Sequence, residues 1–133
     1  MKFHILTLAA AAALALPASA QVVRPEITLA QAVETAESQF GARAYDAEFD
    51  MDQGDMVYEI DLVKDGRPME VVIDDRTGHV VRQSKPFIGR LPIVGEKLKA
   101  AQSAPRTLSQ TITMVEAATK GRVAEIDLER RGG

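Results

Sequence analysis

The sequence predicts an α+β fold: one helix packed on a three-stranded antiparallel meander, followed by a partial helix-strand repeat of the same unit. Three observations predict it. A helix-start signal at Thr28 opens a run with apolar side chains at helical spacing, the apolar period falls to two after Gly41, and the opening of this unit returns at Thr107.

Taken in chain order, residues 1–20 have the three-part build of a secretion signal: basic Lys2, an apolar run from Ile5 to Leu16, then Pro17 and the small-residue ending Ala18-Ser19-Ala20. The expectation is cleavage after Ala20 and a periplasmic or secreted product of a bacterial cell. The apolar run is too short for a membrane span, which needs roughly 20 residues, and no later segment is long and apolar enough for one. A lipid anchor at the cleavage site would need a cysteine, and the chain has none. Residues 21–26 form a short extension before the first unit, which spans 27–83.

Thr28 and Gln31 are spaced as a capping box, with the threonine side chain accepting a backbone N–H and the glutamine reaching back. Leu29, Val33, Ala36 and Phe40 then share one helical face, and Gly41 stands where a left-handed helix end belongs. Next, Tyr45, Ala47, Phe49 and Met51 alternate with Asp46, Glu48, Asp50 and Asp52, which reads as a half-buried strand with the first set inward. Gln53-Gly54-Asp55 turns the chain into a second strand, with Tyr58, Ile60 and Leu62 inward. Asp65-Gly66 between alternating runs predicts a type I′ hairpin. A third strand carries Met69, Val71 and Ile73 inward, and Asp75-Arg76-Thr77-Gly78 leads into a short extension at residues 79–82.

Residues 84–106 read as a linker, bounded by Pro86, Pro92 and Pro105 but too apolar to be a plain spacer. Phe87, Ile88, Leu91, Ile93 and Val94 must be covered, either by the first unit or as a docking segment for a partner. Thr107-Leu108-Ser109-Gln110-Thr111-Ile112 then repeats Thr28-Leu29-Ala30-Gln31-Ala32-Val33. Leu108, Ile112, Val115 and Thr119 form a weaker apolar face, and Gly121 is the expected helix end. After a two-residue gap, Glu125-Ile126-Asp127-Leu128-Glu129 echoes Glu48-Phe49-Asp50-Met51-Asp52. Residues 107–133 therefore supply a helix and a first strand only, expected to dock on the first unit or another chain, or to stay mobile.

With 16 basic and 19 acidic side chains the formal net charge is −3, and loss of the leader removes Lys2 alone. Mild acidity argues against nucleic acid as a partner, because that binding rests on clustered Lys and Arg. Without cysteine no disulfide can staple the fold. Catalytic groups are scarce: His79 is the one histidine beyond the leader, no His-Glu-x-x-His zinc spacing surrounds it, and Ser38, Ser84, Ser103 and Ser109 lack the setting of a nucleophile elbow. Asp74 and Asp75 lack the alternating ligand spacing of a calcium loop. Carboxylates are the abundant resource. Asp46, Glu48, Asp50, Asp52, Glu59, Asp61 and Glu70 all fall on the solvent side of the predicted sheet, where like charges on neighbouring strands repel. Such a face suits a basic partner surface or weakly held cations, and it equally serves as a solvated, aggregation-resistant exterior.

The opening Thr28-Leu29-Ala30-Gln31-Ala32, the acidic first strand, Val57-Tyr58-Glu59-Ile60 and the closing Val72-Ile73-Asp74-Asp75-Arg76-Thr77-Gly78-His79-Val80-Val81 together resemble the PepSY domain family. The resemblance covers 27–83 well and 107–133 in part. It implies a non-catalytic helix-on-sheet module outside the cytoplasm that restrains a peptidase or engages another envelope protein. It carries no cofactor and no catalytic residue. The expected role is an exported binding or regulatory module whose acidic face, strand edges or linker meets a protein partner, with strand addition at an uncovered edge as the simplest mechanism. A cation-buffering or metal-responsive protein using the carboxylate row is the alternative.

Overall fold

The computed structural model describes residues 25–85 and 92–128, with positions 92–94 described by backbone alone. The expected leader, and Phe87, Ile88 and Leu91 of the expected docking segment, lie outside the described residues, as do the side chains of Ile93 and Val94. Along the chain run α1 (Leu29–Phe40), β1 (Arg43–Asp52), β2 (Asp55–Lys64), β3 (Arg67–Asp74), β4 (Val80–Ser84), α2 (Pro92–Ser103), α3 (Leu108–Thr119) and β5 (Glu125–Asp127). The strands make one antiparallel sheet in the order β4-β3-β2-β1-β5.

Helix on antiparallel sheet is the architecture expected, and the sheet is wider than the meander by a strand at each edge. Val80–Ser84 pairs with β3, and the second unit supplies β5 to the free side of β1. Both capping boxes form. The Thr28 hydroxyl accepts from the Gln31 N–H at 3.1 Å while the Gln31 side chain accepts from the Thr28 N–H at 2.8 Å, and Thr107 and Gln110 repeat this at 3.2 and 3.0 Å. The Asp65-Gly66 turn has φ of 50° and 73°, the two positive values that a type I′ hairpin demands, and Gln53-Gly54 makes the same turn between β1 and β2 with 52° and 96°.

One core joins the two units. Leu29, Val33 and Ala36 of α1, Ala44 and Ala47 of β1, Tyr58, Ile60 and Leu62 of β2, Val71 and Ile73 of β3, and Leu108 and Ile112 of α3 are all buried together. Residues 107–128 thus dock on the first unit, with α3 beside α1 and β5 on β1. The weaker second apolar face is only half used: Leu108 and Ile112 are buried, whereas Val115 and Thr119 are exposed. The helix ends one residue before the expected Gly121, with Lys120 in the left-handed conformation at φ 55°.

Tyr58 ties the chain ahead of α1 to the sheet. Its hydroxyl donates to the Ile27 carbonyl oxygen at 2.6 Å. Tyr58→Phe removes the donor and leaves that carbonyl short of a partner, so a loss of about 1–2 kcal/mol is expected in urea unfolding. A loss below about 0.3 kcal/mol would show that the bond carries no net stability.

Two features depart from the alternation read in the sequence. A bulge between Ala44 and Asp46 inserts Tyr45 as an extra residue, and its ring lies on the face opposite α1, against Val63, Leu98, Ala101 and Leu128. The stretch expected as a linker also contains α2, which starts at a proline, the residue suited to a first helical position. It lays Leu98 and Ala101 on that second face, and the Arg43 guanidinium donates to the Ala104 carbonyl oxygen at 2.5 Å just past the end of the helix. The sheet is therefore covered by α1 and α3 on one side and partly by α2 on the other.

Candidate protein-binding face

Strand alternation places one side-chain set of the sheet opposite α1 and α3, and the register aligns it into rows. Glu70, Asp61, Asp46 and Asp127 stand side by side across β3, β2, β1 and β5, with Ser84 of β4 beyond Glu70. The next row runs Arg82, Val72, Glu59, Glu48, Glu125. The seven carboxylates expected on this face are all on it. Asp50 is exposed and the other six are half-buried, because α2 and the neighbouring acids shield them. Sequence reasoning missed Glu125 and Asp127, although their alternation with Ile126 and Leu128 carried the signal, since it did not assign β5 to this sheet.

Six of these side chains, Asp46, Glu48, Glu59, Asp61, Glu70 and Glu125, surround a pocket of about 120 Å³. Two cations flank it. Arg82 reaches from β4 to Asp52, to Glu59 at 3.2 Å and to Glu70 at 3.8 Å, and Lys97 of α2 meets Asp127 at 2.5 Å. The Ser84 hydroxyl donates to Glu70 at 3.0 Å.

Crowding shows in the protonation equilibria. Burial, followed by the charges of Asp127 and Asp61, pushes the Asp46 carboxyl up to about 7, and Lys97 offsets this only in part. Burial and then Glu70, Glu59 and Glu48 push Asp61 up to about 6. Glu59 is raised by burial and Glu70 against the pull of Arg82. A group raised in this way favours its neutral form, so the face welcomes an added positive charge. Tyr45 stands at the closed end of this face. Its buried hydroxyl has no protein partner among the described residues, and its pKa is raised by burial and by Asp61, Asp46 and Glu70.

Glu48, Asp50 and Glu59 also bring carboxylate oxygens within 4.8 Å of one another, a spacing that a cation can bridge. Asp74, away from this face, plays a structural part. The Asp74 carboxylate accepts from the N–H groups of Arg76 and Thr77 at 3.1 and 2.7 Å and from the Thr77 hydroxyl at 2.8 Å, which holds it below the usual carboxylate range. His79, whose N–H donates to the Thr77 hydroxyl at 3.3 Å, belongs to the same turn. No described helix is long and apolar enough to cross a membrane.

With helix, meander and turn in place, the comparison with known families is direct: the family described as Peptidase propeptide and YPEB domain, PepSY, matches residues 26–83. Residues 26–83 are PepSY-like. The match begins just before the Thr28 cap and ends within β4, so it takes in α1, the meander and the Asp74 turn. A solved structure of a candidate lipoprotein from Clostridium difficile 630 is similar at 20% identity, with 78% of this chain and 70% of that chain covered and a TM-score of 0.47. None of the curated proteins matches the chain. PepSY domains are regulatory, propeptide-type modules, which supports a regulatory or binding role for this one.

Proposed function

We propose that this protein is an exported, non-catalytic binding module that holds a basic segment of an envelope protein partner on the carboxylate face of its PepSY sheet, and that the partner is a peptidase which it restrains. The observation that carries the reading is the convergence of six carboxylates from β1, β2, β3 and β5 on one pocket. Lys97 supports the reading, because its ammonium group from α2 already lies on this face against Asp127. The leader-like residues 1–20 support export, and the family's description as a peptidase propeptide supports a peptidase as partner.

A lysine-rich peptide titrated into the protein tests the charge requirement. Binding should weaken at least about tenfold when Glu48, Glu59, Asp61 and Glu70 are changed together to their amides, and it should fall with added salt. Equal binding by the amide variant would defeat the reading. The spacing of Glu48, Asp50 and Glu59 favours a second reading, cation binding on the same face. Calorimetry with calcium and with zinc tests it, and a one-to-one site lost in Glu48→Gln would establish it.

A further inference from the structure

The two helix-strand units are related by a local two-fold axis, and the axis shows what belongs beside β5. When Thr107 is laid on Thr28 and the match is continued without a gap, Glu37 coincides with Glu116. Each of these carboxylates accepts from the backbone N–H seven residues on, Ala44 for the first and Val123 for the second, both at 2.9 Å. The shared bond removes the two-residue gap inferred from sequence, so Ala47 matches Ile126 and Phe49 matches Leu128. In this register the pairing of β1 with β5 is self-complementary. Ala47 faces Ile126, the Phe49 N–H donates to the Ala124 carbonyl at 2.8 Å, and its image, the Leu128 N–H, donates to the Tyr45 carbonyl at 2.9 Å. The open cleft of about 900 Å³ between α1 and α3 is lined by the matching pairs Thr28 and Thr107, Gln31 and Gln110, and Glu37 and Glu116.

The image of β2 under this axis falls at the outer edge of β5. Among the described residues no strand pairs there. Instead a groove of about 280 Å³ opens beside its end, where Leu108, Thr111, Ile126 and Leu128 of the second unit meet Ala101 and Ala104, the start of β1 at Arg43 and Ala44, and Arg106. The matching α1 positions are closed: Ala32 and Ala36 are fully buried, whereas Thr111 is half-buried and Val115 is 43% exposed.

We propose that the outer edge of β5 and this groove accept an extended segment of a protein partner as a sixth strand, antiparallel to β5, with apolar side chains alternating with basic ones. Its backbone completes the hydrogen bonding of the edge. The residue opposite Ile126 takes the place that Ile60 holds against β1, under α3. Residues opposite Glu125 and Asp127 stand where Asp61 and Glu59 stand, on the acidic face, and there lysine or arginine is attracted where an acid is repelled. The inference goes beyond the acidic-face reading, because backbone pairing and apolar contact would hold the strand even where the central carboxylates are neutralised.

The test is a synthetic peptide spanning residues 55–64 with Glu59 and Asp61 replaced by lysine, titrated into the full chain and followed by amide NMR. Saturable shifts are expected at Thr111 and at 125–128. Glu125→Pro removes an outward N–H while the bonds from the Phe49 N–H to the Ala124 carbonyl and from the Leu128 N–H to the Tyr45 carbonyl remain, and Thr111→Lys fills the groove. Each should weaken binding about tenfold. Thr111→Lys keeps the test valid if the proline unseats β5. Thr111→Lys should change the binding of a lysine-rich peptide to the acidic face by less than about twofold, which separates the edge from that face. Shifts confined to other residues, no shift at millimolar peptide, or unchanged affinity in Thr111→Lys would overturn the proposal.

Discussion

Asparagine in place of Asp46 is expected to stabilise the protein near pH 8 by about 1–3 kcal/mol and to leave it nearly unchanged near pH 4. The folded carboxyl titrates at about 7 because burial and the neighbouring Asp127 and Asp61 oppose its charge, whereas in the unfolded chain it titrates near 3.9. Between these values the folded state holds the extra proton, so the stability of the wild-type protein falls as the pH rises through this window and levels off above it. Partial solvent access to the carboxyl keeps the gain within this range. Asp61, raised to about 6, acts in the same direction over a narrower window. Urea midpoints of the two proteins near pH 4 and pH 8 check the expectation. An asparagine variant less stable than wild type near pH 8 would show that Asp46 is held as a favourable anion, and the account of the acidic face would be wrong. Such a gain would also mean that the face retains Asp46 at a cost in stability, which is the pattern of a surface kept for binding.

Ile112→Ala is expected to cost about 2–5 kcal/mol, with a single unfolding transition retained. Ile112 is fully buried in the core that holds Leu29, Val33 and Ile60, so its removal opens a cavity shared by both helix-strand units. A second unit that merely rested on the first would lose far less, because α3 could shift to close the space. Denaturant unfolding followed by circular dichroism measures the loss, and hydrogen exchange at 123–128 reports whether β5 opens with the whole molecule. A cost under about 0.5 kcal/mol, or a separate early transition for α3, would show that the units are not one cooperative body.

Much of this fold is legible in the residues because its signals are local. Thr28 with Gln31 and Thr107 with Gln110 mark helix starts through bonds that span one turn, and Asp65-Gly66 fixes a hairpin through backbone conformation alone. The face of the sheet on which each carboxylate lies follows from a period of two, and those assignments hold for all seven. What escaped depends on single-residue insertions and distant contacts. The bulge at Tyr45 reverses the side of one aromatic ring without altering composition or spacing. Three residues of β5 are too few to show a period, and their place on β1 is fixed by Glu116, Val123 and the shared core. Residues 92–103 carry a weak apolar stripe interrupted by Gly95, and Leu98 and Ala101 gain a surface to cover only once Tyr45 and Val63 are on that side.

The turn built on Asp74 bears on kinship. Its aspartate, threonine and glycine are among the residues by which the family is recognised in sequence, and they are spent on joining β3 to β4, with the Gly78 N–H bonded to the Asp74 carbonyl at 3.0 Å. In this chain the motif builds a joint between two strands, so it speaks for the fold and is silent on the ligand. On the proposed reading, what a chain carries at positions 46, 61 and 70 bears on its ligand, whereas the Asp74 turn does not.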